Sequence, residues 1–219
     1  LGDCKEYADC LLGGCEETTS GVQRLRGWER EGRLRYPVIA VNDARCKSFF
    51  DNTYGTGQTV WDAIMRTTNL QMNGKTVVIA GYGFCGVGIA AVAKGLGALV
   101  IVTEVDPVCS LLAMMDGYRA MSMAAAAPLG DIFVTVTACC DVIRPEHFAV
   151  MKDNAIVTNA GHFNIEIDLD GLKAMARERV SLRKNLDGYV LDDGRTIGII
   201  ADGGLVNIAA GDGHPVEIM

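Results

Sequence analysis

Residues 76–104 constrain the fold more tightly than any other stretch of this chain. Residues 77–80 read Val-Val-Ile-Ala, a β-branched apolar run of the kind that forms a strand buried on both faces. Glycines follow at once, at 81, 83 and 86, and residues 89–94 (Ile-Ala-Ala-Val-Ala-Lys) then read as a helix. Residues 99–103, Leu-Val-Ile-Val-Thr, form a second buried run that leads into Glu104. Strand, glycine-rich turn, helix and strand in that order imply a parallel pairing with a right-handed crossover.

The glycine spacing says what the turn is for. G-x-G-x-x-G alone is a weak signal, but after a strand and at the opening of a helix it is a dinucleotide fingerprint. Gly81 allows the tight turn, Gly83 lets the backbone approach a pyrophosphate, and Gly86 lets helix and strand pack closely. The helix N-terminus offers N–H groups to the phosphates, so Phe84, Cys85, Val87 and Gly88 are expected beside the cofactor as well. Glu104 stands 18 residues after Gly86, where a carboxylate accepts hydrogen bonds from the adenosine ribose. The same charge repels a 2′-phosphate, so the cofactor expected is NAD rather than NADP.

Strand and helix go on alternating. Pro107 opens a helix that runs to about Met115, and a strand is expected over 132–137. A short helix over 146–151, a strand over 155–159 and a helix over 170–179 follow. The fold class is α/β, a Rossmann-like doubly wound parallel sheet with helices on both faces. Residues 189–191 and 196–200 flank Asp193 and Gly194, a hairpin signal. Residues 21–35 look different: Arg24, Arg26, Arg30, Arg33 and Arg35 lie on a helical stretch, but Glu29 and Glu31 interleave. With a net charge of −7 this reads as a solvated face, not a nucleic-acid surface.

Cys4, Cys10, Cys15, Cys46, Cys85, Cys109, Cys139 and Cys140 show no Cys-x-x-Cys spacing, so no zinc or other metal site is expected. The adjacent pair Cys139-Cys140 suits neither a normal disulfide nor a chelate. Reduced thiols point to the cytoplasm. No apolar run reaches the roughly 18 residues of a membrane span, so no membrane partner is expected. Residues 1–5 (Leu-Gly-Asp-Cys-Lys) lack the features of a signal peptide and an initiator Met, so a processed product or an incomplete chain is expected.

Several segments, in order along the chain, together resemble the S-adenosylhomocysteine hydrolase (adenosylhomocysteinase) family. They are residues 16–21 (Glu-Glu-Thr-Thr-Ser-Gly), 41–43 (Val-Asn-Asp), Lys47 with 50–55 (Phe-Asp-Asn-Thr-Tyr-Gly), 80–83 (Ala-Gly-Tyr-Gly) and 103–107 (Thr-Glu-Val-Asp-Pro). Residues 159–163 (Asn-Ala-Gly-His-Phe), 166–168 (Glu-Ile-Asp), 205–207 (Leu-Val-Asn) and 213–215 (Gly-His-Pro) complete the set. The resemblance implies a hydrolase of the methyl cycle that hides a redox step. Tightly held NAD oxidises the 3′-hydroxyl of a nucleoside thioether, homocysteine is eliminated, water adds, and the ketone is reduced again.

The resemblance also assigns residues. Lys47 matches the lysine that helps deprotonate the 3′-hydroxyl, Asp51 the carboxylate beside the ribose, and Glu17 another ribose contact. Asn52 matches an asparagine near nicotinamide and substrate, and His162 a histidine that handles protons there. Thr18, Thr19 and Ser20 match a run of cofactor-contacting hydroxyls, and Ala160 and Gly161 flank the cofactor with His162. Asn207 matches the partner of the nicotinamide carboxamide, and His214 a histidine on the nucleoside side. Read without the family, Lys47 is a surface lysine, Asp51-Asn52 a turn or cap, and His214 a loop residue. His162 stands out by itself, because ligands gather past the carboxyl ends of parallel strands.

Three local departures accompany the match. Ala-Asp-Gly-Gly at 201–204 replaces a usual Glu-Gly-Arg, Cys109 replaces an asparagine near the cofactor adenosine, and Thr56 fills a position often held by cysteine. Most of the family's substrate domain and its C-terminal tail have no counterpart here. The expected organisation is a partial substrate-domain segment over 1–70, an NAD-binding domain over 71–200 and a return segment over 201–219. A homo-oligomer is implied by the family. Two alternatives remain at this point: a non-catalytic NAD-binding module, and a 2-hydroxy-acid-type dehydrogenase that would use His162 with Glu166.

Overall fold

The computed structural model describes residues 10–218; Cys4 and the start over residues 1–5 lie outside them. The chain forms two compact units, Leu1–Asp51 and Asn52–Met219.

In the first unit a strand β1 (Gly14–Glu16) leads through helix α1 (Thr19–Arg30) to strand β2 (Val38–Ala40). The two strands pair in parallel, Gly14 opposite Val38 and Glu16 opposite Ala40. The arginine-rich stretch behaves as a solvated face: Arg26 pairs with Asp43 at 2.5 Å and Arg33 with Glu31 at 2.9 Å. Helix α1 stops at Arg30, because the chain turns at Gly32 with φ of 66°. A π-helical segment, Lys47–Gly55, follows. π-Helical turns are rare and recur at functional sites.

The second unit opens with α2 (Thr56–Thr68) and builds one sheet from β3 (Thr76–Ala80), β4 (Leu99–Thr103), β5 (Arg119–Ala120), β6 (Ile132–Thr135), β7 (Ala155–Asn159), β8 (Ala176–Arg183), β9 (Leu186–Leu191) and β10 (Thr196–Ile200). The order is β5-β4-β3-β6-β7-β10-β9-β8, and the first six are parallel. That is the doubly wound order in which the chain runs outward from β3, returns, and runs outward the other way from β6. Strand period explains the two-sided core. Val77, Ile79, Val100, Val102, Ile132 and Val134 face one layer with α2 and α3 (Phe84–Gly95), through Trp61, Ile64, Ile89 and Ala93. Val78, Ile101, Phe133, Val157 and Ile199 face the other, with Phe148, Met151 and Leu172.

Helix starts follow local chemistry. Pro107 is the first residue of α4 (Pro107–Met115), and the Asp106 carboxylate accepts from Val108 N at 2.7 Å and Cys109 N at 3.3 Å. The expected short helix is α6 (Pro145–Phe148), after α5 (Met123–Ala126). The helix expected over 170–179 is divided. Helix α7 (Leu169–Met175), capped by Asp168 on Gly171 N at 2.8 Å, gives way at Ala176 to β8. Pairing decides this: Arg179 lies opposite Tyr189 and bonds Asp187 at 2.6 Å. The Asp193-Gly194 hairpin forms between β9 and β10, with Gly194 at φ of 89°. A final helix, α8 (Val206–Ala209), packs on α2.

Candidate functional site

The sheet reverses its order between β3 and β6, and ligands of such sheets bind past the carboxyl ends of the strands at that point. The Gly81–Gly83 turn sits there. Gly81 has φ of 104°, and a Cβ would stand 2.9 Å from Val136 O, so glycine is required twice over. A Cβ at Gly86 would stand 2.9 Å from the Gly81 carbonyl carbon. Gly83, the residue that caps α3, is open: nothing lies within 4 Å of its virtual Cβ. Gly88 has a packing reason of its own, since a Cβ there would meet the Thr53 carbonyl group at 2.7 Å. A Cβ on Gly57 would likewise meet Gly88 O at 2.8 Å, so these glycines let α2 and α3 touch. The Trp61 indole donates to Ile89 O across the same contact at 2.9 Å.

Glu104 braces the turn. Its Oε2 accepts from Tyr82 N at 2.7 Å, and its Oε1 accepts from Val105 N at 2.7 Å and Asp106 N at 3.0 Å. A carboxylate has about four lone-pair positions, so one acceptor position remains for a ribose hydroxyl. Tyr82, a residue with no mark in the glycine spacing, is buried and donates its hydroxyl to Asp116 at 2.7 Å. Burial first and the Asp116 bond second push its pKa far above the usual phenol range. Cys109 is half-buried in the first turn of α4. Desolvation, then the charges of Asp106 and Glu104, raise its pKa.

His162 is exposed on the loop past β7, its ring edge-on to Phe163 with centroids 4.6 Å apart. Two fully buried polar residues shape that loop. Asn159 donates through Nδ2 to Phe163 O at 2.8 Å, Gly203 O at 3.0 Å and Gly161 O at 3.2 Å. Its Oδ1 accepts from Gly161 N at 2.6 Å and Thr135 Oγ1 at 3.2 Å. Glu166 accepts from Thr137 N, Thr137 Oγ1 and Ala138 N, each at 2.8 Å. Its carboxylate is thus committed to the loop after β6, where the dehydrogenase alternative would need it to orient His162. Both residues lie in the family-like segments 159–163 and 166–168, but nothing in the sequence marks either as an organiser of the loop.

A polar chain joins the start of α3 to the C-terminal segment. Asn52 Nδ2 donates to Cys85 Sγ at 3.3 Å, and Cys85 Sγ lies 3.7 Å from Thr56 Oγ1. Thr56 Oγ1 in turn meets His214 Nε2 at 3.3 Å. Asn207 is buried beside them. Its Nδ2 donates to Thr59 Oγ1 at 3.1 Å, while its Oδ1 has no hydrogen-bond partner. A buried acceptor left open costs on the order of 1–3 kcal/mol, which a bound N–H group would recover.

In the first unit, Lys47 Nζ and Asp51 Oδ2 form an ion pair at 2.9 Å on one face of the π-helical segment. Their side chains are only 12% and 11% exposed. At the start of α1, Glu16 Oε1 accepts from Thr18 N at 2.8 Å, and Thr19 Oγ1 donates to Asn42 Oδ1 at 3.3 Å. Glu17 and Ser20 beside them are half-buried.

Residues 52–213 match the family described as S-adenosyl-L-homocysteine hydrolase, NAD binding domain. The chain belongs to the S-adenosyl-L-homocysteine hydrolase family. Within that family it is 58% identical over 218 residues to S-inosyl-L-homocysteine hydrolase of Methanosarcina acetivorans, covering 98% of this chain and 53% of that protein. It is 56% identical over 218 residues to adenosylhomocysteinase of Archaeoglobus fulgidus, covering 100% of this chain and 54% of that one. The chain spans about half the length of the curated relatives it matches. Among solved structures, a dipicolinate synthase from Bacillus halodurans has a TM-score of 0.60 at 14% identity, over 74% of this chain and 55% of that one. A transhydrogenase from Sinorhizobium meliloti has a TM-score of 0.58 at 14% identity, over 93% of this chain and 69% of that one. At such identities the likeness carries the fold alone.

For this hydrolase-family chain the cofactor is NAD. Its residues fit that group: Gly83 leaves room for a phosphate, Glu104 keeps one acceptor position, and Asn207 Oδ1 lacks a donor. Glu104→Ala is expected to weaken NAD binding by about 1–3 kcal/mol, the cost of an unmet polar contact. Calorimetric titration of both proteins with NAD checks it, and equal affinities would remove Glu104 from the cofactor site.

Proposed function

We propose that this chain is the cofactor-bearing part of an enzyme that reversibly hydrolyses S-adenosylhomocysteine to adenosine and homocysteine through a 3′-keto intermediate. The observation that carries the reading is the Lys47–Asp51 ion pair, drawn out of solvent on a π-helical turn. An isolated surface pair would add little to stability, and this one is neither exposed nor in an ordinary helix.

Bound NAD supplies the hydride acceptor for the 3′-carbon and later the donor. The chain's own residues do the rest. Asp51 and Glu17 accept from the ribose hydroxyls; with Asp51 so engaged, Lys47 gives up the proton that the ion pair holds on it, and its neutral amine takes the proton of the 3′-hydroxyl. Asn207 Oδ1 accepts from the carboxamide N–H, while Asn52, held through its amide by Cys85, borders nicotinamide and sugar. His162 moves the proton at the activated ribose carbon, and Ala160 and Gly161 set its backbone against the cofactor. The family resemblance gives Thr18, Thr19 and Ser20 to the cofactor, Cys109 to its adenosine, and His214, bonded to Thr56, to the nucleoside.

The reading places the substrate-domain segment before the cofactor domain and a return segment after it. The proposed organisation is a partial substrate-domain segment over 1–70, an NAD-binding domain over 71–200 and a return segment over 201–219, with the second compact unit starting at Asn52. A cytoplasmic homo-oligomer is part of the proposal. Seven free thiols among the described residues support the compartment, and the exposed Val108, Leu111, Leu112, Met114 and Met115 of α4 support self-association. No helix among the described residues is long and apolar enough to cross a membrane.

The test mixes the chain with NAD and either adenosine or inosine, and follows the near-ultraviolet absorbance of reduced nicotinamide. A rise with adenosine is expected. A rise with inosine alone would reassign the base. No rise with either, NAD binding being confirmed by titration, would overturn the reading in favour of a non-catalytic NAD-binding module.

A further inference from the structure

The loop after β6 carries a feature that the hydrolase reading leaves unused. Thr137 and Ala138 are anchored by Glu166, and Asp141 N is anchored to Ile165 O at 2.9 Å. Between those anchors stand only Cys139 and Cys140, both exposed and both free thiols. The residues on either side, Ala138 and Asp141, have φ of 57° and 52°, so the backbone turns sharply at each end of the pair. Cys139 N is held on Thr137 Oγ1 at 3.0 Å, and its Sγ lies 3.6 Å from Thr137 O. The same loop forms one wall of the NAD crevice: a Cβ on Gly81 would stand 2.9 Å from Val136 O and 3.1 Å from Thr137 Cγ2.

We propose that Cys139 and Cys140 form a vicinal dithiol site for trivalent arsenic on the rim of the NAD crevice, where occupancy weakens NAD binding. Adjacent cysteines suit no chelate of a metal that takes four ligands, but geometry admits a ligand that takes two. Adjacent Cα atoms are about 3.8 Å apart, short of the roughly 4.4–6.8 Å that an ordinary disulfide spans, so direct oxidation of the pair is strained. One arsenic atom placed between the sulfurs lengthens the bridge and relieves that constraint. A zinc ion would need further ligands, and among the described residues no group of three or more His, Cys, Asp or Glu could hold a metal. An aryl-substituted trivalent arsenic needs two. The second As–S bond closes within one molecule, so a neighbouring thiol gains far more than a distant one. No other two cysteines of the chain are adjacent in sequence.

The chemistry balances without an oxidant. Phenylarsine oxide and two thiols give two As–S bonds; the arsenic–oxygen bonds break, and both thiol protons leave with the oxygen as one water. Arsenic stays trivalent and the sulfurs stay reduced. An adduct on this rim crowds the turn at Gly81–Gly83, so arsenical and NAD oppose each other, and each weakens the other by the same factor.

The test uses the full, reduced chain and phenylarsine oxide, with adducts counted by intact-mass spectrometry and NAD affinity measured by titration. One adduct per chain is expected, stable to excess 2-mercaptoethanol and released by dithiothreitol, with NAD binding weakened about tenfold. Cys139→Ser and Cys140→Ser are each expected to lose the monothiol-resistant adduct while NAD affinity stays as in the parent chain, which also shows that they fold. A monothiol-resistant adduct surviving in either variant would overturn the site. An adduct at the pair with unchanged NAD affinity would overturn its coupling to the crevice. Failure of the untreated chain to bind NAD would count against the cofactor assignment instead, and the adduct count would still decide the dithiol site.

Discussion

Replacing Asn159 by leucine is expected to destabilise the Asn52–Met219 unit by about 3–5 kcal/mol. Leucine has nearly the same shape, so the loss is one of hydrogen bonds, not of volume. Five partners are abandoned together: the carbonyls of Gly161, Phe163 and Gly203, the N–H of Gly161 and the hydroxyl of Thr135. Each that stays buried and unmet costs roughly 1–3 kcal/mol, and partial relaxation of the loop keeps the sum below the full total. The damage also reaches the site, because Asn159 ties the Ala160–Gly161–His162 backbone to the turn at Ala201, Asp202 and Gly203. Those three residues have φ of 51°, 50° and 70°, a left-handed path that two non-glycine residues hold only under constraint. Urea unfolding followed by the fluorescence of the buried Trp61, in a Trp28→Phe background, reads this unit. A loss below about 1 kcal/mol would mean that the network relaxes freely and does not organise the loop.

The parts of this fold that were legible in the sequence are those set by local pattern. The runs at β3, β4, β6 and β7 are mostly β-branched and apolar because both faces of those strands are covered, with threonine or asparagine only at their ends. Pro107 and Asp106 announce α4 by themselves. Strands whose structure comes from a partner left no such mark. In β5, Arg119 and Ala120 carry no pattern and are strands only because they pair with Ile101 and Val102. In β8, alternating Arg and Glu read as a helix, and pairing with β9 overrides that propensity. The site divides the same way. The glycine turn and Glu104 follow from spacing, whereas Asn159, Glu166 and Tyr82 act through contacts 24 to 44 residues away in sequence. Lys47 and Asp51 are four apart, but only the fold shows that they are paired and nearly buried.

That pair leads to the largest expected effect on activity. Lys47→Ala is expected to slow reduction of NAD by adenosine about 10²- to 10⁴-fold, the range for loss of a positioned general base. Alanine alone would not settle the cause, since it also removes the Lys47 ion pair from Asp51, whose side chain is only 11% exposed. Lys47→Arg separates the two effects. Arginine keeps the positive charge and can bond the Asp51 carboxylate, yet it does not give up its proton at any working pH. If Lys47 is the base, the arginine variant keeps NAD affinity and approximate KM for adenosine while kcat falls nearly as far as in the alanine variant. If the pair serves only to shape the π-helical turn, arginine restores turnover and alanine alone is impaired. Stopped-flow absorbance of reduced nicotinamide on the two variants distinguishes these results, with calorimetry confirming that each still binds NAD. An arginine variant that oxidises adenosine at the parent rate would leave Lys47 a binding residue and move the proton-accepting role to another group.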